Sequence, residues 1–308
     1  MSLVLPLIVI NGPTASGKSS LAIDVAERLI AAGQPAEIVN ADAYAIYRGM
    51  DIGTAKPSAA DLVKVKHHLV DILDITETAS VAEFQTMARD VIADLRAAGI
   101  TPVLVGGSAL YVRAVVDTFD FPGTDPAVRA KWDARLTEIG PEALHAELAA
   151  ISPEAAAGIL PGNGRRIVRA LEVIELTGSF TPVLPEPTYA LANVHQFGLR
   201  IDREQMDARI AARVEQMWAH GLVAEVEELV AQGLRQGLTA SRALGYAQVL
   251  AHLAGECSDD EAKQATIAGT RRFARKQLGW FNRDDRITWF DWDDPTAAET
   301  IIRIVGDN

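Results

Sequence analysis

Residues 12–19 read Gly12-Pro13-Thr14-Ala15-Ser16-Gly17-Lys18-Ser19 and satisfy the phosphate-loop pattern G-x-x-x-x-G-K-[ST] in full. The apolar run LIVI (7–10) before it reads as a buried parallel strand. After it, Leu21, Val25 and Leu29 recur at helical spacing, so the loop joins a strand to a helix. In that setting the glycines let backbone N–H groups turn around a phosphate, and the helix N-terminus adds the positive end of its dipole. Lys18 places a charge on the outer phosphate, and the Ser19 hydroxyl can ligate Mg²⁺. The same pattern implies that a nucleotide, ATP included, can occupy the loop.

Outward from the loop, composition sets limits. At 308 residues the chain suits one large or two moderate domains. A net charge of −12 argues against a nucleic-acid partner unless basic residues cluster locally. The single cysteine, Cys257, leaves no internal disulfide and no cysteine-based zinc module, which fits a reducing, cytoplasmic compartment. The apolar start (1–10) lacks a basic leader and reads as a strand, not a signal peptide, and no apolar run approaches membrane-spanning length.

The second strand-like run (36–41) delivers Asp42 at its carboxyl end, where open α/β sheets bind ligands. As a strand-end carboxylate beside a phosphate loop, Asp42 can be a base, a metal ligand or a helix N-cap. The segment 47–57 is too irregular for a regular element and reads as a substrate loop. HHLVDILD (67–74) reads as another strand. Its adjacent histidines point to opposite faces and make a poor metal pair, so His67 and His68 are read as structural, as are Asp71 and Asp74. A helix over 81–98 leads into the strand 102–105, then Gly106-Gly107-Ser108 and a helix from about Leu110. That is a second strand-to-helix glycine turn able to bind an anion.

Between FPGTDP (121–126) and PVLPEP (182–187) the composition shifts to helix formers, with helices expected over 125–139, 141–151 and 165–177. The segment 121–191 thus reads as an all-α insertion with Trp132 in its core, and 1–120 with 192–308 as the α/β core. Arg165, Arg166 and Arg169 cluster at the start of a helix, where cations oppose the dipole; a solvated face or an external phosphate would each explain them. The remainder offers a strand over 194–201, helices over 206–219, 222–231, 246–254 and 259–281, a short strand over 287–290 and a last helix. The 259–281 helix carries Arg271, Arg272, Arg275 and Lys276 with Phe273, Trp280 and Phe281 interleaved, a pattern that suits RNA backbone and base stacking or simply a solvated amphipathic helix.

Taken together, GPTASGKS (12–19), ADAYAIYRGMDIGTAKP (41–57), VAEF (81–84), VLVGGSALY (103–111), RRIVRALEV (165–173), SRALGY (241–246) and TRRFARKQLGWF (270–281) resemble, in order, the motifs of tRNA dimethylallyltransferases of the bacterial type without a zinc finger. The resemblance implies a phosphate-loop, nucleotide-kinase-like parallel sheet flanked by helices, with an all-α insertion that contacts tRNA. It implies transfer of a dimethylallyl group from dimethylallyl diphosphate to N6 of adenosine 37 in the anticodon stem-loop, with Mg²⁺ and no evident obligatory protein partner. It makes Asp42 the proton acceptor and brings Lys18, Ser108 and Arg209 to the reacting centre. On the tRNA side it places Asp42, Ala43, Tyr44, Ala45, Ser108, Arg129, Arg165, Arg166, Arg169, Arg242, Gly245, Tyr246, Arg271 and Arg275. Many family members have Ser and Gln where this chain has Ala43 and Ala45, and Thr in place of Ser108. Three rivals share part of the pattern: a small-molecule kinase, a free-adenylate prenyltransferase and a non-catalytic nucleotide switch.

Overall fold

A computed structural model describes residues 4–119, 121–183 and 185–307. Met1, Ser2 and Leu3 of the apolar start, residue 120 at the expected domain boundary and Leu184 of the second proline-marked hinge lie outside the described residues. The chain forms two compact units, one running to Thr118 and resuming at Tyr189, the other Phe119–Thr188.

In the first unit the order is β1 (Leu7–Asn11), α1 (Lys18–Ala31), β2 (Ala36–Asn40), α2 (Ala59–Lys64), β3 (His67–His68), α3 (Val81–Ala97), β4 (Thr101–Gly106) and α4 (Ala109–Val116). The second unit holds α5 (Pro126–Ile151), α6 (Pro153–Ala157) and α7 (Gly164–Thr177). The first then resumes with β5 (Val194–Arg200), α8 (Arg203–Ala219), α9 (Leu222–Ala231), α10 (Tyr246–Leu253), α11 (Asp259–Phe281), β6 (Ile287–Asp291) and α12 (Ala297–Gly306).

The strands pair in the order β3-β2-β4-β1-β5-β6, every pair parallel. Alternation along β1 divides the core: Ile8 and Ile10 pack with Val25, Leu29 and Ile301 on one face, whereas Leu7 and Val9 pack with Phe84, Ile92 and Val115 on the other. Because both faces are covered, the central strands β1 and β4 are nearly continuous apolar runs. Parallel pairing brings the carboxyl ends of β1, β2, β4 and β5 to one edge, where the glycine loop, Asp42, the 106–108 turn and Asp202 follow in turn.

The expected strand over 67–74 is shortened to His67–His68. Leu69 (φ 60°) and Asp71 (φ 56°) adopt left-handed backbone that takes the chain out of the ladder. That path is held by Asn40 Nδ2, which donates to the Leu69 carbonyl over 3.0 Å, and by Lys56, which binds the Asp71 carboxylate. Both histidines are structural: His67 Nδ1 lies 2.8 Å from the Val65 carbonyl and His68 Nε2 2.5 Å from Glu37. A third cluster packs Ile46, Tyr47 and Met50 of the irregular segment against Leu222, Val226 and Tyr246.

The second unit is all-α. Its long helix breaks at Gly140 (φ 79°), just before Pro141, which divides it as the sequence suggests. Leu144, Leu148, Ile167, Val168 and Leu171 form its core, with half-buried Trp132 packed against them and bonded through Nε1 to Glu175. At the crossing points, Asp117 and Tyr189 form an antiparallel bridge. Arg286 ties them by donating to the Asp117 carboxylate over 2.7 Å while lying 4.2 Å above the Tyr189 ring.

Candidate active site

The glycine loop bends through two left-handed residues, Ala15 (φ 64°) and Gly17 (φ 96°), before α1 begins at Lys18. Gly12 lies against Ser16: a Cβ on Gly12 would sit 2.6 Å from Ser16 Oγ. That hydroxyl is fully buried and has no hydrogen-bond partner, an orphan group that an anion in the loop would satisfy. Lys18 is desolvated, and burial pushes its pKa down to about 8; the Asp42 charge opposes the shift and Arg213 reinforces it.

Arg209 donates Nε to the Ala15 carbonyl over 2.7 Å, and its guanidinium lies 4.3 Å above the Trp292 ring. One turn further along α8, Arg213 completes a third cationic group. Burial lowers its pKa, Asp42 raises it and Arg209 lowers it. Sequence reasoning missed Arg213, although the i, i+4 spacing from Arg209 puts both arginines on one face of the helix.

Asp42 follows β2 without starting a helix, which removes the N-cap reading. Its Oδ1 accepts from the Tyr44 N–H over 2.9 Å and the Ala45 N–H over 3.2 Å, a local turn in which Oδ2 has no hydrogen-bond partner among the described residues. Ser108 stands at the N-cap of α4, yet its hydroxyl makes no bond to that helix. The 106–108 turn is drawn to the first loop: a Cβ on Gly107 would lie 3.4 Å from Lys18 Nζ and 3.3 Å from the Gly12 carbonyl.

A cavity of about 1110 Å³ opens beside the loop. Its lining combines Lys18, Ser19, Arg209 and Arg213 with apolar Ile52, Leu62, Val70 and Met217. Charge and hydrocarbon in one cavity suit a ligand with an anionic head and a branched apolar tail. Asp42 and Ser108 lie outside that lining. Among the described residues no group of three or more His, Cys, Asp or Glu is arranged to hold a metal ion.

The residues expected on the tRNA side divide into two sets. Arg165 and Arg242 are exposed, as are Arg272, Phe273, Lys276 and Trp280 on α11. Others are committed within the chain. Arg129 and Arg169 both donate to Glu172, a fully buried carboxylate, over 3.0 and 2.9 Å, and Arg169 also binds the Pro122 and Gly123 carbonyls. Arg166 donates to the Pro182 carbonyl. Arg271 binds the Asp207 carbonyl at 3.1 Å, and Arg275 reaches the Asp207 carboxylate at 3.6 Å. Ala43 packs on the sheet and Tyr44 against the Tyr47 cluster; Ala45 is 4% exposed. Gly245 (φ 90°) makes the turn into α10. Tyr246 departs from expectation: its side chain is fully buried, with the ring against Gly53 and the hydroxyl on Glu225, so it serves the 51–57 loop from within.

A cationic glycine loop at the carboxyl edge of a parallel sheet places this chain among the α/β enzymes that keep their ligand site at that edge. Comparison with known proteins narrows the class. The IPP transferase family model matches residues 45–284. The chain is 60% identical to a tRNA dimethylallyltransferase of Kineococcus radiotolerans, over 94% of this chain and 93% of that one. It is 55% identical to one of Cutibacterium acnes, over 98% and 97%. The crystal structure of the full-length tRNA isopentenylpyrophosphate transferase of Bacillus halodurans superposes with a TM-score of 0.69 at 38% identity, covering 98% of this chain and 95% of that one. The chain therefore belongs to the tRNA dimethylallyltransferase family.

Proposed function

We propose that the protein transfers the dimethylallyl group of dimethylallyl diphosphate to N6 of adenosine 37 in the anticodon stem-loop of tRNA. The observation that carries the reading is the buried cation Lys18 of the glycine loop, close enough to feel the charge of Asp42 and lining a cavity that is cationic at one part and apolar at another. In the reaction, N6 attacks C1 of the allyl group, the C1–O bond breaks with its electron pair on the diphosphate, and the N6 proton passes to Asp42. N6 is a weak nucleophile, so alignment and proton removal are the enzyme's principal tasks. Charge growing on the leaving oxygens is met by Lys18, Arg213, the loop amides and the unpartnered Ser16 hydroxyl. The apolar lining at Ile52, Leu62, Val70 and Met217 suits the hydrocarbon tail. Because N6 of a stacked base is out of reach, the adenosine must be flipped out of the loop to present it.

A Mg²⁺ ion fits this donor set through the Ser19 hydroxyl and the substrate's own phosphate oxygens, as is usual for an ion that takes few protein ligands. When bound it neutralises diphosphate charge. The exposed basic and aromatic face of α11 and Arg165 supply phosphate and stacking contacts for RNA despite the net charge of −12. A lone cysteine suits the cytoplasm, where tRNA is found.

The test is incubation with dimethylallyl diphosphate and either an unmodified anticodon stem-loop bearing adenosine 37 or AMP, followed by nucleoside analysis. The stem-loop should be prenylated with kcat/KM at least about 10³ above AMP, a gap of roughly 4 kcal/mol. Comparable rates on AMP would favour the free-adenylate reading, and ATP-dependent phosphorylation with no prenylation would favour the kinase.

A further inference from the structure

Gln277 lies on the inner face of α11, 7% exposed, in line with buried Ala274 and Phe281. A polar amide on an otherwise apolar stripe needs partners. Its Oε1 accepts the N–H of Thr14 over 2.9 Å, a contact between residues 263 apart in sequence. One backbone amide of the glycine loop is thereby turned toward α11. At the other end of the same side chain, Nε2 faces the second glycine turn: a Cβ built on Gly107 would lie 2.6 Å from it. That same position would lie 3.3 Å from the Gly12 carbonyl and 3.4 Å from Lys18 Nζ. The missing side chain at residue 107 is what lets Gln277, the start of the loop and the Lys18 ammonium converge.

We propose that Gln277 is a positioning residue for the diphosphate-binding loop, its carbonyl oxygen fixing the Thr14 amide and its NH₂ group holding the 106–108 turn against Lys18. The proposal rests on the reading of this loop as the diphosphate site. Gln277 acts through the loop, so its removal should loosen diphosphate binding before it touches turnover or RNA affinity. The pairing with Gly107 makes the idea specific, because a methyl group there would displace the same amide.

The experiment uses the full chain and inorganic pyrophosphate as the probe, with titration calorimetry, steady-state kinetics and stem-loop binding read in parallel. Gln277→Met keeps the volume and removes both polar atoms. It should weaken pyrophosphate binding, and raise KM for dimethylallyl diphosphate, by at least about tenfold. It should leave kcat within about threefold and stem-loop affinity within about twofold. Gly107→Ala should reproduce this signature in the wild-type background but add less than about threefold to Gln277→Ala, since the displaced amide is then already gone. Unchanged pyrophosphate affinity in Gln277→Met would overturn the proposal. So would a loss of kcat and stem-loop affinity at constant KM, which marks a structural defect. If wild type binds pyrophosphate yet makes no prenylated stem-loop, the functional reading fails while calorimetry still decides the role of Gln277. A wild type that does not bind pyrophosphate overturns both.

Discussion

Tyr246 donates its hydroxyl to Glu225 over 2.6 Å, and the second oxygen of that carboxylate accepts the N–H groups of Ile52 at 2.7 Å and Asp51 at 3.1 Å. One carboxylate on α9 thus holds the irregular 51–57 loop to a buried tyrosine, whose ring lies against Gly53. Burial beside Glu225 raises the pKa of the hydroxyl, which stays protonated and remains a donor. Tyr246→Phe should therefore cost about 1–2 kcal/mol of stability, measured by urea unfolding, through loss of a charge-assisted hydrogen bond. Stem-loop affinity should be unchanged. A drop in affinity at full stability would return Tyr246 to the tRNA side.

Asp42 has two duties that one substitution can separate. Oδ1 shapes the turn at Tyr44 and Ala45, and in the proposed reaction Oδ2 is the oxygen that would take the proton. Asp42→Asn can retain the turn through its carbonyl oxygen while losing basicity. It should lower kcat by about 10² to 10⁴ with stem-loop affinity little changed. Near-normal turnover in this variant would remove Asp42 as the base.

The fold was largely legible because helical and strand periodicities are long and strong here. α9 and α11 begin and end where the pattern of apolar residues places them, and the glycine loop announced the strand and helix on either side. The strand over 67–74 was misread because its length is set by backbone at Leu69 and Asp71, which no periodicity reports. The places of the glycine loop and of Asp42 at the ends of β1 and β2 were visible from single motifs. Contacts made by distant partners were not: Gln277 meets Thr14 across most of the chain, and Glu172 binds Arg129 from another helix. Both show in sequence only as a polar residue on an apolar helical face.

Lys18 should impose a pH dependence on diphosphate binding. With a folded pKa of about 8 against the ordinary lysine value of 10.5, the folded protein gives up this proton before the unfolded chain does. Between those two values the unfolded state binds more protons, so stability contributed by this group rises with pH across that window. An anion in the loop reverses the preference by favouring the ammonium. Pyrophosphate binding just above pH 8 should therefore be accompanied by proton uptake, and affinity should fall as pH rises further. Calorimetry in buffers of different ionisation enthalpy reads the proton directly. Lys18→Arg, which stays charged, should abolish the uptake, and persistence of the same uptake in that variant would assign it to another group.

The arginines of the second unit should separate by partner. Arg169 is held by the fully buried Glu172 and by the Pro122 and Gly123 carbonyls, whereas Arg165 is exposed at the start of α7 with no ion-pair partner among the described residues. Removing one cation from a buried carboxylate leaves charge less well matched, so Arg169→Gln should destabilise the protein by about 1–3 kcal/mol. Arg129 still contacts Glu172, which keeps the loss below that of an unpaired buried ion. Arg165→Gln should leave stability unchanged. If Arg165 contacts an RNA phosphate, its loss should reduce the slope of log K against log salt by roughly 0.7 to 0.9. Unfolding curves and stem-loop titrations over a salt series distinguish the two behaviours. An unaltered slope in Arg165→Gln would make this arginine part of a solvated face, and the RNA contacts would then fall to the exposed basic residues of α11.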